Sequence, residues 1–298
     1  MPKSPFSQQD MTRLIPYGNG TLYRCPQTGF LAADPIPNAA ELDAYYQSEY
    51  FEGSRYESDL DEQNNAYLKN WQRRLSNIEQ LVGSSSSEHH KRLLDIGAGT
   101  GAFVELAHRH NWEISCVEFS PDGRQAIQNR VPDVQQIESE FSPDRFAGQQ
   151  YDLVSMWAVI EHLPYDADRL KSFYEITRPG GLVAFSFPNP ITINRFLFGA
   201  NWRYFIPVEH LAFYPPTLFK QMLEQAGFTI EQESSTFSAA ACHDGLAKSS
   251  FSWLPQIIRK VFVKLTGAAN RCLFHGDTYE VIARKNNDSK TDRESAEA

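Results

Sequence analysis

What this chain lacks narrows its class. No segment offers the roughly 18 consecutive uncharged apolar residues that a membrane-spanning helix needs. The opening stretch, MPKSPFSQQDMTRLIPYGNG, lacks the apolar centre of a secretory signal, so the chain is expected to be soluble or at most peripheral. Only four cysteines occur, Cys25, Cys116, Cys242 and Cys272, far apart and with no CxxC pair. That spacing argues against a disulfide framework and favours a reducing, cytoplasmic setting. Positive charge is also short, with 28 Lys plus Arg against 37 Asp plus Glu and a net charge of -9. Such a balance repels a polyanion, and nucleic acid is not an expected partner. No internal repeat is visible.

What is present reads as a globular chain: 41% hydrophobic and 22% charged residues over 298 positions, enough to bury a full core. Residues 1–83 read as an N-terminal extension, compact but irregular, closing with an amphipathic helix. Its stripe of Leu68, Trp71, Leu75, Ile78 and Val82 ends near Gly83. The run SSSSEHHK at 84–91 has the composition of an exposed connector. From there to about residue 285, strand and helix signals alternate. Candidate strands are RLLDI (92–96), EISCVEF (113–119), VQQIE (134–138), YDLVSMW (151–157), LVAFSF (182–187), FTIEQES and TYEVIARK, with helices around 101–111, 121–130, 165–178 and in TLFKQMLEQAGF. Helix-length crossovers between strands imply a doubly wound, mostly parallel seven-stranded sheet with helices on both faces. A helical insertion over roughly 238–275 precedes the last strand, and the polar tail 286–298 is expected to be disordered.

The stretch RLLDIGAGTGAF places Asp95 before Gly97, Ala98, Gly99 and Gly101 at the junction of the first parallel strand and its helix. Glycines there let the backbone pass closely under a ligand and into a helix N-terminus, which points to a nucleotide-type ligand. Spacing alone leaves two cofactors open, because Gly97, Gly99 and Ala102 also satisfy the relaxed dinucleotide fingerprint. Asp95 discriminates: a carboxylate at that strand tip repels a pyrophosphate and attracts the ammonium of S-adenosylmethionine. Glu118, at the end of the next strand, can accept hydrogen bonds from ribose hydroxyls with either cofactor. A nicotinamide-dependent oxidoreductase and a non-catalytic protein of the same fold are the competing readings.

With LLDIGAGTG, VEFSP, YDLVSMWAVIEHL, RPGGLVAFSFPNP and VEHLAFYPPTLFKQMLEQAGF in this order, the chain resembles the class I S-adenosylmethionine-dependent methyltransferases, especially the branch with ubiquinone-biosynthesis O-methyltransferase-like enzymes. The resemblance covers roughly residues 90–235 and the final strand. It implies a Rossmann-like fold, S-adenosylmethionine as cofactor and a small-molecule acceptor, with oxygen preferred as the receiving atom. It also implies that Asp95, Gly97, Ala98, Gly99 and Gly101 surround the methionine part of the cofactor. By the same likeness Glu118 holds the ribose with Phe119 beside it, and the segment near Ser139 and Glu140 faces the adenine. Trp157 either lines the cofactor pocket or is a core aromatic. Relatives in this branch often carry paired CxxC knuckles near the N-terminus, whereas this chain keeps only Cys25, so no metal is expected.

Methyl transfer from a sulfonium is an in-line displacement in which alignment and exclusion of water supply much of the rate. An acceptor hydroxyl would still profit from a base, and two histidines are placed for it, His162 in IEHLP and His210 in PVEHLAFY. Glu161 and Glu209 either orient those rings or face solvent. In FSWLPQIIRKVFVKL, residues 251–265, an apolar stripe of Leu254, Ile257, Ile258, Val261, Phe262 and Leu265 runs beside Arg259, Lys260 and Lys264. Packing onto its own domain is the expected fate of that stripe, with a pocket cap or peripheral membrane contact through 253–265 as the alternatives. The aromatic segment 193–207 is a lid or a packing element.

Overall fold

In a computed structural model of the chain, the described residues are 1–38, 41–42, 65–83, 90–249, 253, 255–273 and 276–287. Three short strands come first: β1 (Thr12–Tyr17), β2 (Gly20–Arg24) and β3 (Leu31–Asp34). The segment expected to be irregular is therefore an antiparallel sheet. The turn between β1 and β2 explains it. Gly18 takes φ 55° between paired Tyr17 and Gly20, the first-position glycine of a two-residue hairpin turn.

Next in the chain are α1 (Asn65–Val82), β4 (Lys91–Ile96), α2 (Ala102–Arg109), β5 (Trp112–Val117), α3 (Pro121–Arg130), β6 (Gln136–Glu138) and β7 (Tyr151–Trp157). They are followed by α4 (Arg169–Ile176), β8 (Thr177–Pro188), α5 (Ile193–Phe198), β9 (Ala212–Phe213) and α6 (Pro216–Gln225). The series ends with β10 (Phe228–Thr236), α7 (Ala239–Lys248), α8 (Gln256–Leu273) and β11 (Thr278–Lys285). The main sheet has the order β10-β11-β8-β7-β4-β5-β6. Strands β4 to β8 that pair within it are parallel, and β11 runs antiparallel to both of its neighbours. This is the expected doubly wound, mostly parallel seven-stranded sheet.

Alternation along the strands divides the core into two layers. Leu93, Ile114, Leu153 and Ala184 face α1, α2 and α3 through Trp71, Leu75, Phe103 and Ile127. Val154, Met156, Val183 and Phe185 face α4 and α6 through Phe173, Leu218, Phe219 and Leu223. Helices thus cover both faces, which is what a parallel sheet requires. The strand order reverses direction beside β4, where β5 lies on one side and β7 on the other, and ligands of such sheets bind at the carboxyl ends of strands at that point.

The insertion between β10 and β11 forms two helices, α7 and α8. Segment 193–207 supplies α5 and a buried Trp202 that joins Tyr17, Leu22, Leu31 and Phe213 in a satellite core. Phe213 belongs to β9, whose two residues add a fourth strand to the N-terminal sheet next to β3. The connector at 84–89 and the tail from 288 lie outside the described residues.

Candidate functional site

Each residue singled out in the glycine turn sits past the carboxyl end of β4. Gly97, Gly99 and Gly101 all adopt positive φ, at 75°, 58° and 85°, a region open to glycine at little cost. The N–H groups of Gly97 and Ala98 both donate to the carbonyl of Val117, at 2.8 and 3.1 Å, which pins the turn to β5. A methyl group on Gly97 would stand 2.3 Å from Val159 Cγ2. The turn is therefore packed against the loop that follows β7, the loop that carries Glu161 and His162.

Asp95 stands near the tip of β4, as the sequence reading placed it, and is buried there. It is the penultimate residue of β4 and 2% exposed, and Ser155 Oγ donates to its Oδ1 at 2.5 Å across the β4–β7 pair. Burial pushes its pKa up to about 7, with Ser155 pulling down, Glu118 adding to the rise and Arg74 opposing it. Glu118 lies just beyond β5 and is also buried. Its Oε2 accepts from the Gly99 N–H at 2.7 Å and its Oε1 from the Ser120 N–H at 2.9 Å. Burial raises its pKa while these two amides hold the charged form. The glycine turn and the second acid, 19 residues apart in sequence, are therefore in direct contact. Phe119 next to it is 57% exposed, and Ser139 and Glu140 are exposed just after β6. Trp157, the last residue of β7, is buried against Trp71 and Phe103 at ring distances of 5.9 and 5.4 Å, with the Arg74 guanidinium 4.5 Å over its ring.

The two histidines, 48 positions apart in number, meet: the rings of His162 and His210 are 4.9 Å apart, edge to face. His162 ends the short turn Ile160–His162. Its pKa is held well below the ordinary histidine value by burial and then by His210, so the ring is neutral. His210 Nδ1 lies 2.7 Å from the Tyr204 carbonyl, a contact that assigns the proton to that nitrogen. Its own carbonyl accepts from Tyr17 Oη at 3.0 Å. Glu161 and Glu209 do not face solvent; both are buried. Glu161, 1% exposed, is pushed up to about 8 by burial and by Glu209, and its Oε2 has no hydrogen-bond partner. Glu209 Oε1 stands 4.0 Å from His162 Nε2 and 3.8 Å from His210 Nε2. Glu161, His162 and His210 each bring one ligand-type atom within 4.8 Å of the others, and among the described residues this is the group able to hold a cation.

Both histidine loops carry a non-glycine residue at positive φ, Ala158 at 56° and Val208 at 74°. For a β-branched residue such as Val208 that is a strained conformation. Sequence reasoning missed Ser155, Arg74 and Tyr17. Ser155 bonds Asp95, Tyr17 bonds the His210 carbonyl and Arg74 bonds Glu280, each across 60 or more residues, and no local pattern marks them.

A family model described as a methyltransferase domain matches residues 61–233, more than half of the chain. Ubiquinone biosynthesis O-methyltransferase of Aeromonas salmonicida is 26% identical over 173 residues, covering 54% of this chain and 73% of that protein. The Acinetobacter baumannii protein of the same description is 30% identical over 128 residues, and there the match spans about half of the relative's length (51%) and 41% of this chain. Demethylmenaquinone methyltransferase of Thermus thermophilus is 28% identical over 182 residues, 52% of this chain and 82% of that one. Among solved structures, a SAM dependent methyltransferase from Archaeoglobus fulgidus superposes with a TM-score of 0.54 at 20% identity, over 81% of this chain and 99% of that one. At that identity the likeness concerns the fold. These findings favour methyl transfer over the nicotinamide alternative.

Proposed function

Because the chain belongs to the methyltransferase-domain family, in its class I S-adenosylmethionine-dependent branch, we propose that it methylates a hydroxyl of a small-molecule acceptor. The observation that carries the cofactor reading is the Glu118 carboxylate locked onto the Gly99 and Ser120 amides at the end of β5. Held this way, each oxygen keeps a lone pair for a ribose hydroxyl. Asp95, raised to about 7 by burial, is shifted to its carboxylate form by an arriving cationic amine, whose charge favours the ionised state. Phe119 offers an exposed ring beside the ribose position, where an adenine can stack.

S-adenosylmethionine supplies the methyl group, the carbon–sulfur bond breaking as the carbon–oxygen bond forms. His162 takes the hydroxyl proton, its ring kept neutral by burial and His210. His210, anchored by Tyr204 and Tyr17, positions that ring. The names of the ubiquinone and menaquinone relatives support a quinone-like or phenolic small molecule as the acceptor.

Formation of S-adenosylhomocysteine against phenolic, amine and carbon acceptors tests the reading. Phenolic acceptors are expected to stimulate it. The His162→Ala variant should lose about 100-fold or more in turnover with cofactor affinity unchanged, and full turnover in that variant would remove His162 from the reaction. The close grouping of Glu161, His162 and His210 favours one second reading, a divalent cation that binds the acceptor oxygen. Turnover abolished by a chelator and restored by added cation would assign the group that role instead.

A further inference from the structure

The insertion between β10 and β11 was expected to pack its apolar stripe onto its own domain, and the structure meets that expectation only in part. α8 buries one side, Val263, Thr266 and Gly267, against Phe198 of α5, Cys242 and Leu246 of α7, and Phe237. Of the stripe read from the sequence, Leu254 lies outside the described residues and Phe262 packs beside that cluster, while the other four face away. Ile257 is 73% exposed, Leu265 66%, and Ile258 and Val261 about half. Trp253, just before the helix, is 74% exposed. Positions 257, 261, 265 and 258 recur at helical spacing along one line. Lys260 and Lys264, both exposed, border that line on one side. The neighbouring α5 exposes two further large apolar residues, Phe196 and Leu197.

Charge identifies the occupant. From Gly245 to Gly276 the chain has no Asp or Glu and five cations, Lys248, Arg259, Lys260, Lys264 and Arg271. Elsewhere the molecule is acidic, since the whole carries -9. A segment of opposite charge to the rest, with Lys260 and Lys264 beside an uncovered apolar stripe that has a tryptophan at its head, complements a surface that is anionic outside and apolar beneath. A second copy of the same helix would bring like charges together, and a soluble polyanion would leave the stripe in water. No described helix is long and apolar enough to cross a membrane, so the element lies on the surface.

We propose that Trp253 and the outer face of α8 form a peripheral docking surface for an anionic lipid bilayer, entering it with Ile257, Ile258, Val261 and Leu265 while Lys260 and Lys264 meet the headgroups. The surface is independent of the methyl-transfer reading, because none of these residues takes part in the glycine turn or the histidine group.

The test is flotation of the full chain with vesicles of phosphatidylcholine alone and of phosphatidylcholine mixed with phosphatidylglycerol. The expected result is flotation with the anionic vesicles, weakened by salt, and at least about tenfold less with the neutral ones. Ile257→Ser with Leu265→Ser, both at exposed positions, should abolish flotation while the melting midpoint and S-adenosylhomocysteine binding stay as in the parent. Lys260→Glu with Lys264→Glu should remove the preference for phosphatidylglycerol. A parent chain that stays at the bottom of both gradients would overturn the proposal. So would a serine variant that floats like the parent, or a parent that sediments as a dimer which the serine changes dissociate without any vesicle binding.

Discussion

At the scale of single residues, Asp95 carries opposing demands. Its pKa, held at about 7 against an ordinary 3.8 by burial, means the folded chain keeps a proton between about pH 4 and 7 that the unfolded chain has lost. Stability without cofactor therefore falls as pH rises through that window. Asp95→Asn removes the slope, since the amide oxygen can still accept from Ser155. We expect its cofactor-free melting midpoint at pH 8 to rise by about 3 °C or more, while affinity for S-adenosylhomocysteine drops about tenfold to hundredfold with the loss of a charge-assisted contact. Calorimetric melting at several pH values, with titrations beside it, checks both signs; a variant that melts lower and binds equally well contradicts them. Sequence singled out Asp95, Glu118, His162 and His210, because residue type next to a strand end or a glycine turn is local information. It did not reveal that Asp95 is buried against Ser155 or that the two histidine rings touch, since those facts depend on which strands become neighbours.

At the scale of elements, the N-terminal sheet contacts the segment that carries His210. β9 begins two residues after His210 and pairs with β3, the Leu211 carbonyl accepts from the Ala33 N–H at 2.9 Å, and Tyr17 of β1 donates to the His210 carbonyl. Tyr17→Phe should lower turnover severalfold with cofactor affinity retained, and cost about 1 kcal/mol of stability. Steady-state kinetics with a parallel binding titration distinguish this from a general loss of folding, which would reduce both. Elements with strong local signals were legible at their boundaries. β7 and β11 follow continuous apolar or alternating runs, and α3 starts at Ser120, whose Oγ accepts from the Gly123 N–H at 3.3 Å. The first three strands were not legible as strands because β3 has four residues and β1 contains Pro16, although the Gly18–Asn19 turn was the signal available. β9, at two residues, has no local pattern at all. The α8 stripe was legible as amphipathic, and its exposure was not, because periodicity records that a face is apolar and is silent on what covers it.

At the scale of the whole molecule, the mostly parallel pairing and the two helical layers follow from crossovers that the strand and helix spacing already implied, whereas the sheet order and the reversed strand β11 come from the structure. The carboxyl ends of β4, β5 and β7 converge where the strand order turns, which brings the glycine turn, Glu118 and the Glu161–His162 loop to one edge of the sheet. The fold alone would serve many chemistries; the choice of cofactor rests on the acids at that edge. Calorimetric titration of the full chain with S-adenosylhomocysteine and, separately, with NADH tests that choice most directly. The account predicts saturable one-to-one binding of S-adenosylhomocysteine that Asp95→Asn and Glu118→Ala each weaken, and no heat from NADH. Binding of NADH, or S-adenosylhomocysteine binding that neither substitution alters, would contradict it.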